Sequence, residues 1–145
     1  MQGVSFELLY AESLAVVTRP RHPLAVVPDR PVSPRALLDY PLVIPSAGTV
    51  PRHDVEGFFN AHGLSLPPGR TETRSVSLGR ALTLHSDAIW ITPQHPVQLD
   101  IDRRWLRRLN VPVPGGAEPV GILSRTGVPP SELADQLMEI LRELA

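Results

Sequence analysis

The chain of 145 residues contains no cysteine. Disulfides, thiolate metal sites and cysteine nucleophiles are therefore excluded. It also contains no lysine, so all 14 basic side chains are arginines, set against 15 acidic ones for a net charge of −1. That balance leaves no whole-chain electrostatic footprint for nucleic acid. No apolar run approaches the ~18 residues of a membrane span, and no membrane partner is expected. No charged segment followed by an apolar stretch opens the chain, so no signal peptide is expected and the cytoplasm is the expected location. No G-x-S-x-G or glycine-rich phosphate loop occurs. His22, His53, His62, His85 and His95 do not fall in a ligand spacing such as H-x-x-x-H. Neither metal, cofactor nor enzymatic activity is expected.

Hydrophobic residues make up 42% and charged residues 20%, a composition that can fold around a core. The 17 prolines punctuate the whole length rather than marking one linker. Residues 6–18 read as one long strand, alternating at Phe6, Leu8 and Tyr10 and then continuously apolar from Leu14 to Val17. Ser33 and Pro34 open a short helix. Residues 42–44 form a buried strand. The helix at 50–62 buries Val55, Phe58, Phe59 and His62, with Gly63 just past its end. Arg70–Arg74 is a short strand, and Ser77 caps a helix with a stripe of Leu78, Ala81, Leu82 and His85. His62 and His85 are thus expected in the core. A strand at 88–91, a short helix near 95–104, an edge strand over Leu109–Val113 and a turn at Pro114-Gly115-Gly116 follow. The basic run Arg103–Arg108 is expected to be a solvated surface segment. A strand at 119–125 precedes a helix capped by Ser131, with Leu133, Leu137, Ile140, Leu141 and Leu144 on its buried face. This alternation predicts an α/β fold with a largely parallel sheet.

One stretch stands apart, Pro41–Arg52. A strand runs into the small residues Ser46-Ala47-Gly48, and Thr49 caps a helix that begins Val50-Pro51-Arg52. Such a turn lies at the carboxyl end of its strand and offers helix N–H groups, the setting in which open α/β folds bind small anions. Every α/β domain also has such turns with no ligand role.

Five segments, FELLYAESLAVVTRPRHPLA, LLDYPLVIPSAGT, HGL, ETRSVSLGRALTLHSDAIWITP and PVGILSR, follow the order and spacing of the effector-binding region of LysR-type transcriptional regulators. The resemblance covers about residues 5–145. Within the family, SDAIWITP, GRALTLHSDA and PSAGTVPR are most similar to regulators of the pca operon, which govern protocatechuate (β-ketoadipate pathway) catabolism. The resemblance implies a periplasmic-binding-protein-like (type 2) α/β fold of two lobes, with lobe two complete and lobe one partial. Residues 5–23 would be a hinge strand and remnant of lobe one, 24–112 lobe two, and 113–145 the returning hinge strand and C-terminal helix of lobe one. On this reading the chain is truncated at its N-terminus. DNA would be bound only through a winged helix-turn-helix absent from it.

The resemblance also implies an effector-sensing function, with a small carboxylate, an intermediate of aromatic catabolism, bound between two lobes, and a homo-oligomer as the expected assembly. By resemblance the ligand contacts are Ser46, Thr49, Val50, Pro51 and Arg52, with a second segment at Ser75, Val76 and Ser77. Arg52 would bind the carboxylate bidentately. Arg74 and Arg80 would add positive charge. Capping by Thr49 and Ser77, with solvated arginines, would explain the same residues without a ligand. A solute-binding protein for small anions and a nonfunctional gene fragment are the alternative readings.

Overall fold

The computed structural model describes residues 3–113 and 118–145. In chain order the strands and α-helices are β1 (Val4–Glu12), β2 (Leu14–Thr18), β3 (Leu42–Pro45), α1 (Val50–Ala61), β4 (Thr71–Thr73), α2 (Val76–Leu84), β5 (Ile89–Pro93), α3 (Gln98–Asp102), β6 (Arg107–Arg108), β7 (Glu118–Arg125) and α4 (Glu132–Leu144). Two compact units result, Ser13–Gly116 and the pair Met1–Glu12 with Ala117–Ala145.

The larger unit is built on a five-stranded sheet of order β4-β3-β5-β2-β6. β3 pairs parallel with β4 and β5, whereas β2 pairs antiparallel with β5 and β6, so the sheet is mixed rather than largely parallel. β2 and β3 are buried at every residue, as their continuous apolar runs require when both faces of a sheet are covered. Leu14, Val16, Leu42, Ile44, Ile89 and Ile91 share one core with Val55, Phe58 and Phe59 of α1. Ala15, Val17, Val43 and Trp90 pack instead with Val97 and Leu106, against Val76 and Leu82 of α2. The strands' alternation thus divides one sheet between two cores.

Several expectations are corrected here. The long strand over 6–18 is two strands in two sheets, and the switch from alternating to continuous apolar residues after Ser13 marks the boundary. The helix after Ser33 is a 3-10 helix, Pro34–Asp39. The edge strand is Arg107–Arg108, not Leu109–Val113. The Leu109 N–H still donates to the Val16 carbonyl at 2.8 Å. Beyond it, Val111 and Val113 donate to carbonyls two residues back, a path of tight turns that Pro112, lacking an N–H, accommodates. The arginines of the basic run are exposed, but Leu106 between them is fully buried. The expected turn at Pro114-Gly115-Gly116 lies outside the described residues.

α2 is capped by Ser75, whose Oγ accepts the Leu78 N–H at 3.1 Å, and not by Ser77. The two-residue difference rotates the buried face. Gly79 and Thr83 are buried, while Leu78, Ala81 and His85 are exposed. Gly79 permits the close approach, since a Cβ there would lie 2.5 Å from Trp90 Cζ2. His62 is exposed as well, its Nδ1 hydrogen-bonded to the Phe58 carbonyl at 2.8 Å. The buried histidine is His22, which caps the 3-10 helix Pro23–Ala25 and packs on Tyr40 with ring centroids 4.4 Å apart.

In the smaller unit β1 and β7 pair antiparallel, from Val4↔Arg125 to Glu12↔Glu118. Ser131 caps α4 by accepting the Ala134 N–H at 3.3 Å. Arg142, in the last turn, makes a two-pronged ion pair with Glu7 of β1 at 2.7 and 2.8 Å. The apolar stripe of α4 is exposed, with Leu133 78% and Leu144 71% accessible. One helix and a two-stranded sheet have too little surface to enclose it.

Candidate functional site

The parallel strands β3, β4 and β5 end at the same edge of the sheet. Residues at or just beyond their carboxyl ends enclose a cavity of about 240 Å³ lined by Pro45, Ser46, Thr49, Pro51, Thr73, Arg74, Ser75, Val76, Trp90, Thr92, Pro93 and Pro96. Two helix starts face it, those of α1 and α2, each bringing partial positive charge and free amides. In α1 the supply is thin. Pro51 has no N–H, and the Arg52 and His53 amides are held by Thr49. In α2 the first two amides, of Val76 and Ser77, precede any intrahelical acceptor.

The hydroxyls differ in what they have left to offer. Thr49 Oγ1 donates its proton to the Ser46 carbonyl at 2.8 Å and accepts the Arg52 N–H at 3.4 Å. Ser75 Oγ and Thr73 Oγ1 each accept a backbone N–H, from Leu78 and Ser75 respectively, so each keeps its proton for another acceptor. The hydroxyls of Ser46 and Thr92 make no hydrogen bond with the described residues, and Thr92 is 3% exposed. Arg74, at the mouth, is exposed and makes no ion pair among the described residues. The rest of the wall is apolar, four prolines and Val76 around the buried Trp90 ring. A site of this composition suits a small ligand with an anionic end and a flat or hydrocarbon body.

Of the residues expected at the site, Ser46, Thr49, Pro51, Ser75 and Val76 line the cavity. Val50, Arg52 and Ser77 do not. Arg52 was expected to meet a carboxylate, and it does, but the carboxylates are internal. Its Nε donates to Glu56 at 2.8 Å and its Nη1 lies 2.9 Å from Glu72. The hydrogen bonds from Arg52 and then Arg70 hold the Glu72 carboxyl below the usual carboxylate range. Arg80 is likewise occupied, in a forked pair with the buried Asp100 at 2.8–3.1 Å. That leaves Arg74 as the cation at the cavity. Pro45, Thr73, Trp90, Thr92, Pro93 and Pro96 were not among the expected contacts. The available signal was topological, because a strand ending in Trp-Ile-Thr-Pro beside one ending in Val-Ile-Pro must deliver Thr92 and Pro93 to the same edge.

A family model described as the LysR substrate binding domain matches residues 1–145. The HTH-type transcriptional regulator PcaQ of Agrobacterium fabrum is 38% identical over 145 residues, which is 100% of this chain and 46% of that protein. The HTH-type transcriptional regulator YdcI of Escherichia coli is 39% identical over 125 residues, 86% of this chain and 40% of that one. The chain therefore spans less than half the length of these relatives. Among solved structures, the regulatory domain of Synechocystis CcmR in complex with 2-PG has a TM-score of 0.70 at 19% identity, covering 98% of this chain and 67% of that one. The effector-binding domain of QuiR in complex with shikimate has a TM-score of 0.68 at 17% identity, covering 97% and 65%. A variant of the BenM effector-binding domain has a TM-score of 0.66 at 26% identity, covering 99% and 66%. The fold is thus α/β of the periplasmic-binding-protein-like type 2 class.

Proposed function

The chain belongs to the LysR family as its substrate-binding domain, and we propose that it senses a small carboxylate in the cavity at the edge of β3, β4 and β5. The observation that carries this reading is the pairing of Arg74, a cation without an internal counter-ion among the described residues, with the start of α2 at Ser75 and Val76. The carboxylate binds there, with Ser46 and Thr92 as further hydroxyl partners. The ligand's body lies against Trp90 and the prolines. Thr49 and Pro51 supply wall. Arg52 stands behind the wall through its bond to the Pro45 carbonyl, and Val50 and Ser77 lie outside the lining. About 240 Å³ accommodates a single-ring acid.

An intermediate of aromatic catabolism of the kind handled by a pca operon meets these requirements. The 38% identity to PcaQ supports that choice, and the complexes of QuiR with shikimate and of CcmR with 2-PG are compatible with it. In this reading lobe two comprises residues 24–112 together with β2, which lies in the same sheet, while β1, β7 and α4 belong to the hinge and lobe one. The regulator is a homo-oligomer in the cytoplasm, and its DNA contacts come from a helix-turn-helix outside these residues. Ligand binding alters transcription only through a difference in affinity between two arrangements of that assembly.

Isothermal titration calorimetry with protocatechuate and β-ketoadipate tests the site. A hydrogen bond to a charged group contributes about 1.5–3 kcal/mol, so Arg74→Ala is expected to weaken binding by roughly ten-fold or more. Ser75→Ala is expected to weaken it less. Unchanged affinity in both variants overturns the placement of the carboxylate.

A further inference from the structure

Arg52 is only 5% exposed, so its guanidinium has to find its partners inside the protein. Nε donates to Glu56 Oε1 at 2.8 Å. Nη1 donates to the Pro45 carbonyl at 3.2 Å and lies 2.9 Å from Glu72 Oε1. The second oxygen of Glu72 accepts the Ala47 N–H at 3.3 Å. Arg70 completes the cluster, donating from Nε to Glu72 at 2.9 Å and from Nη1 to the Pro67 carbonyl at 3.1 Å. The last carbonyl of β3, a loop amide, the first turn of α1 and the middle of β4 therefore converge on one ion pair.

The pair stands behind the ligand wall rather than in it. Successive residues of a strand face opposite sides, and Thr73 lines the cavity whereas Glu72 does not. Ser46 and Thr49 flank the tethered Ala47 and do line it. The loop between them has little else to fix it. Ala47 and Gly48 carry almost no side chain, Gly48 takes the left-handed region at φ 77°, and the loop's other side-chain ties among the described residues both run through Thr49 Oγ1, which donates to the Ser46 carbonyl and accepts the Arg52 N–H.

We infer that Arg52 and Glu72 form a positioning pair that holds the Ser46–Thr49 loop in its ligand-receiving shape, so that affinity depends on two side chains that do not touch the ligand. The dependence of affinity rests on the carboxylate site proposed above. Holding of the loop does not. The Arg52 fork matters because it ties a carbonyl and a carboxylate together in one plane, which a lysine cannot do.

The test uses the 15N-labelled chain and its Glu72→Gln variant, followed by NMR and by calorimetry with protocatechuate. Glu72→Gln removes a charged acceptor from a partly exposed position and so spares the core. The expected result is an upfield shift of the Ala47 amide proton, increased fast motion at Ser46–Gly48, and binding weakened by about ten-fold, with the melting temperature nearly unchanged. Arg52→Lys is expected to fall between the two. An Ala47 amide that does not move in Glu72→Gln overturns the inference. So does a released, mobile loop that binds protocatechuate as tightly as before. If the unmutated chain binds no carboxylate, the proposed ligand class fails. The Ala47 shift and loop relaxation then still decide the positioning pair, supporting it if the loop loosens and overturning it if it does not.

Discussion

Replacing Gly79 by alanine sets two effects of opposite sign against each other. In an exposed helix the change stabilises by about 1 kcal/mol, because glycine carries the larger backbone entropy cost. At Gly79 the new methyl would sit 2.5 Å from Trp90 Cζ2 and 3.0 Å from Cδ2. Ordinary contact needs at least ~3.5 Å, so ring and helix must separate by roughly 1 Å. Neither is free to do so. Trp90 is 3% exposed in the middle of the sheet, and the Gly79 carbonyl accepts the Thr83 hydroxyl at 2.7 Å within α2. Overpacking of this kind costs about 1–3 kcal/mol, which outweighs the propensity gain. With the propensity gain subtracted, Gly79→Ala is expected to be destabilised by up to roughly 2 kcal/mol. Because Trp90 also forms part of the cavity wall, protocatechuate binding should weaken in step. Urea unfolding followed by tryptophan fluorescence measures the first effect and calorimetry the second. A variant more stable than the parent, with unaltered Trp90 emission, would refute the close packing of α2 on β5.

His22 predicts a pH dependence. Its Nδ1 accepts the Leu24 N–H at 3.1 Å, so the ring proton lies on Nε2 and is donated to the Asp87 carbonyl at 3.1 Å. Burial pushes its pKa below the ordinary 6.5, outweighing the opposing pull of the Asp87 carbonyl and carboxylate, while Arg19 adds to the depression. The unfolded chain therefore takes up a proton near pH 6.5 that the folded chain refuses, so this contribution is whole above that pH and declines as pH falls towards the lower folded value. Melting temperature measured from pH 8 to 5 should fall, and His22→Gln should flatten that part of the curve. In the Arg80–Asp100 pair, Arg80→Ala strands a buried carboxylate and is expected to cost roughly 2–4 kcal/mol. Denaturant titration checks this, and a loss below about 0.5 kcal/mol, the level of a surface pair, would contradict it. The exposed stripe Leu133, Leu137, Ile140, Leu141 and Leu144 predicts concentration-dependent association of the chain, visible by light scattering, and a monodisperse monomer at high concentration counts against it.

Capping chemistry and apolar period were legible in the sequence. Ser33, Thr49 and Ser131 cap as their positions suggest, and Leu42–Pro45 is the buried strand its run of apolar residues demands. Ser75 and Ser77 are chemically equivalent as caps, and only the packing of Gly79 on Trp90 chooses between them. The stripe of α2 moved with that choice. Strand direction was less legible, because a run such as Leu14–Val17 looks the same in a parallel and an antiparallel ladder. At the site, the Ser46–Thr49 turn could be read directly, since its small residues and cap are local. The occupancy of Arg52 and Arg80 could not. Glu56, four residues on, is a local partner of Arg52 that its helical spacing offered, but Glu72 and Asp100 lie 20 residues away in sequence, so nothing local showed that these partners would hold Arg52 and Arg80 while leaving Arg74 unpaired among the described residues.

The most direct test of the carboxylate site is an NMR titration of the 15N-labelled chain with protocatechuate. Saturable shifts confined to the amides of Ser46, Ala47, Gly48, Thr49, Ser75, Val76 and Ser77 and to the Trp90 indole, with their midpoint moved to roughly ten-fold higher protocatechuate or beyond in Arg74→Ala, are the predicted result. Saturable shifts that leave these groups untouched, or whose midpoint is unchanged in Arg74→Ala, would contradict it.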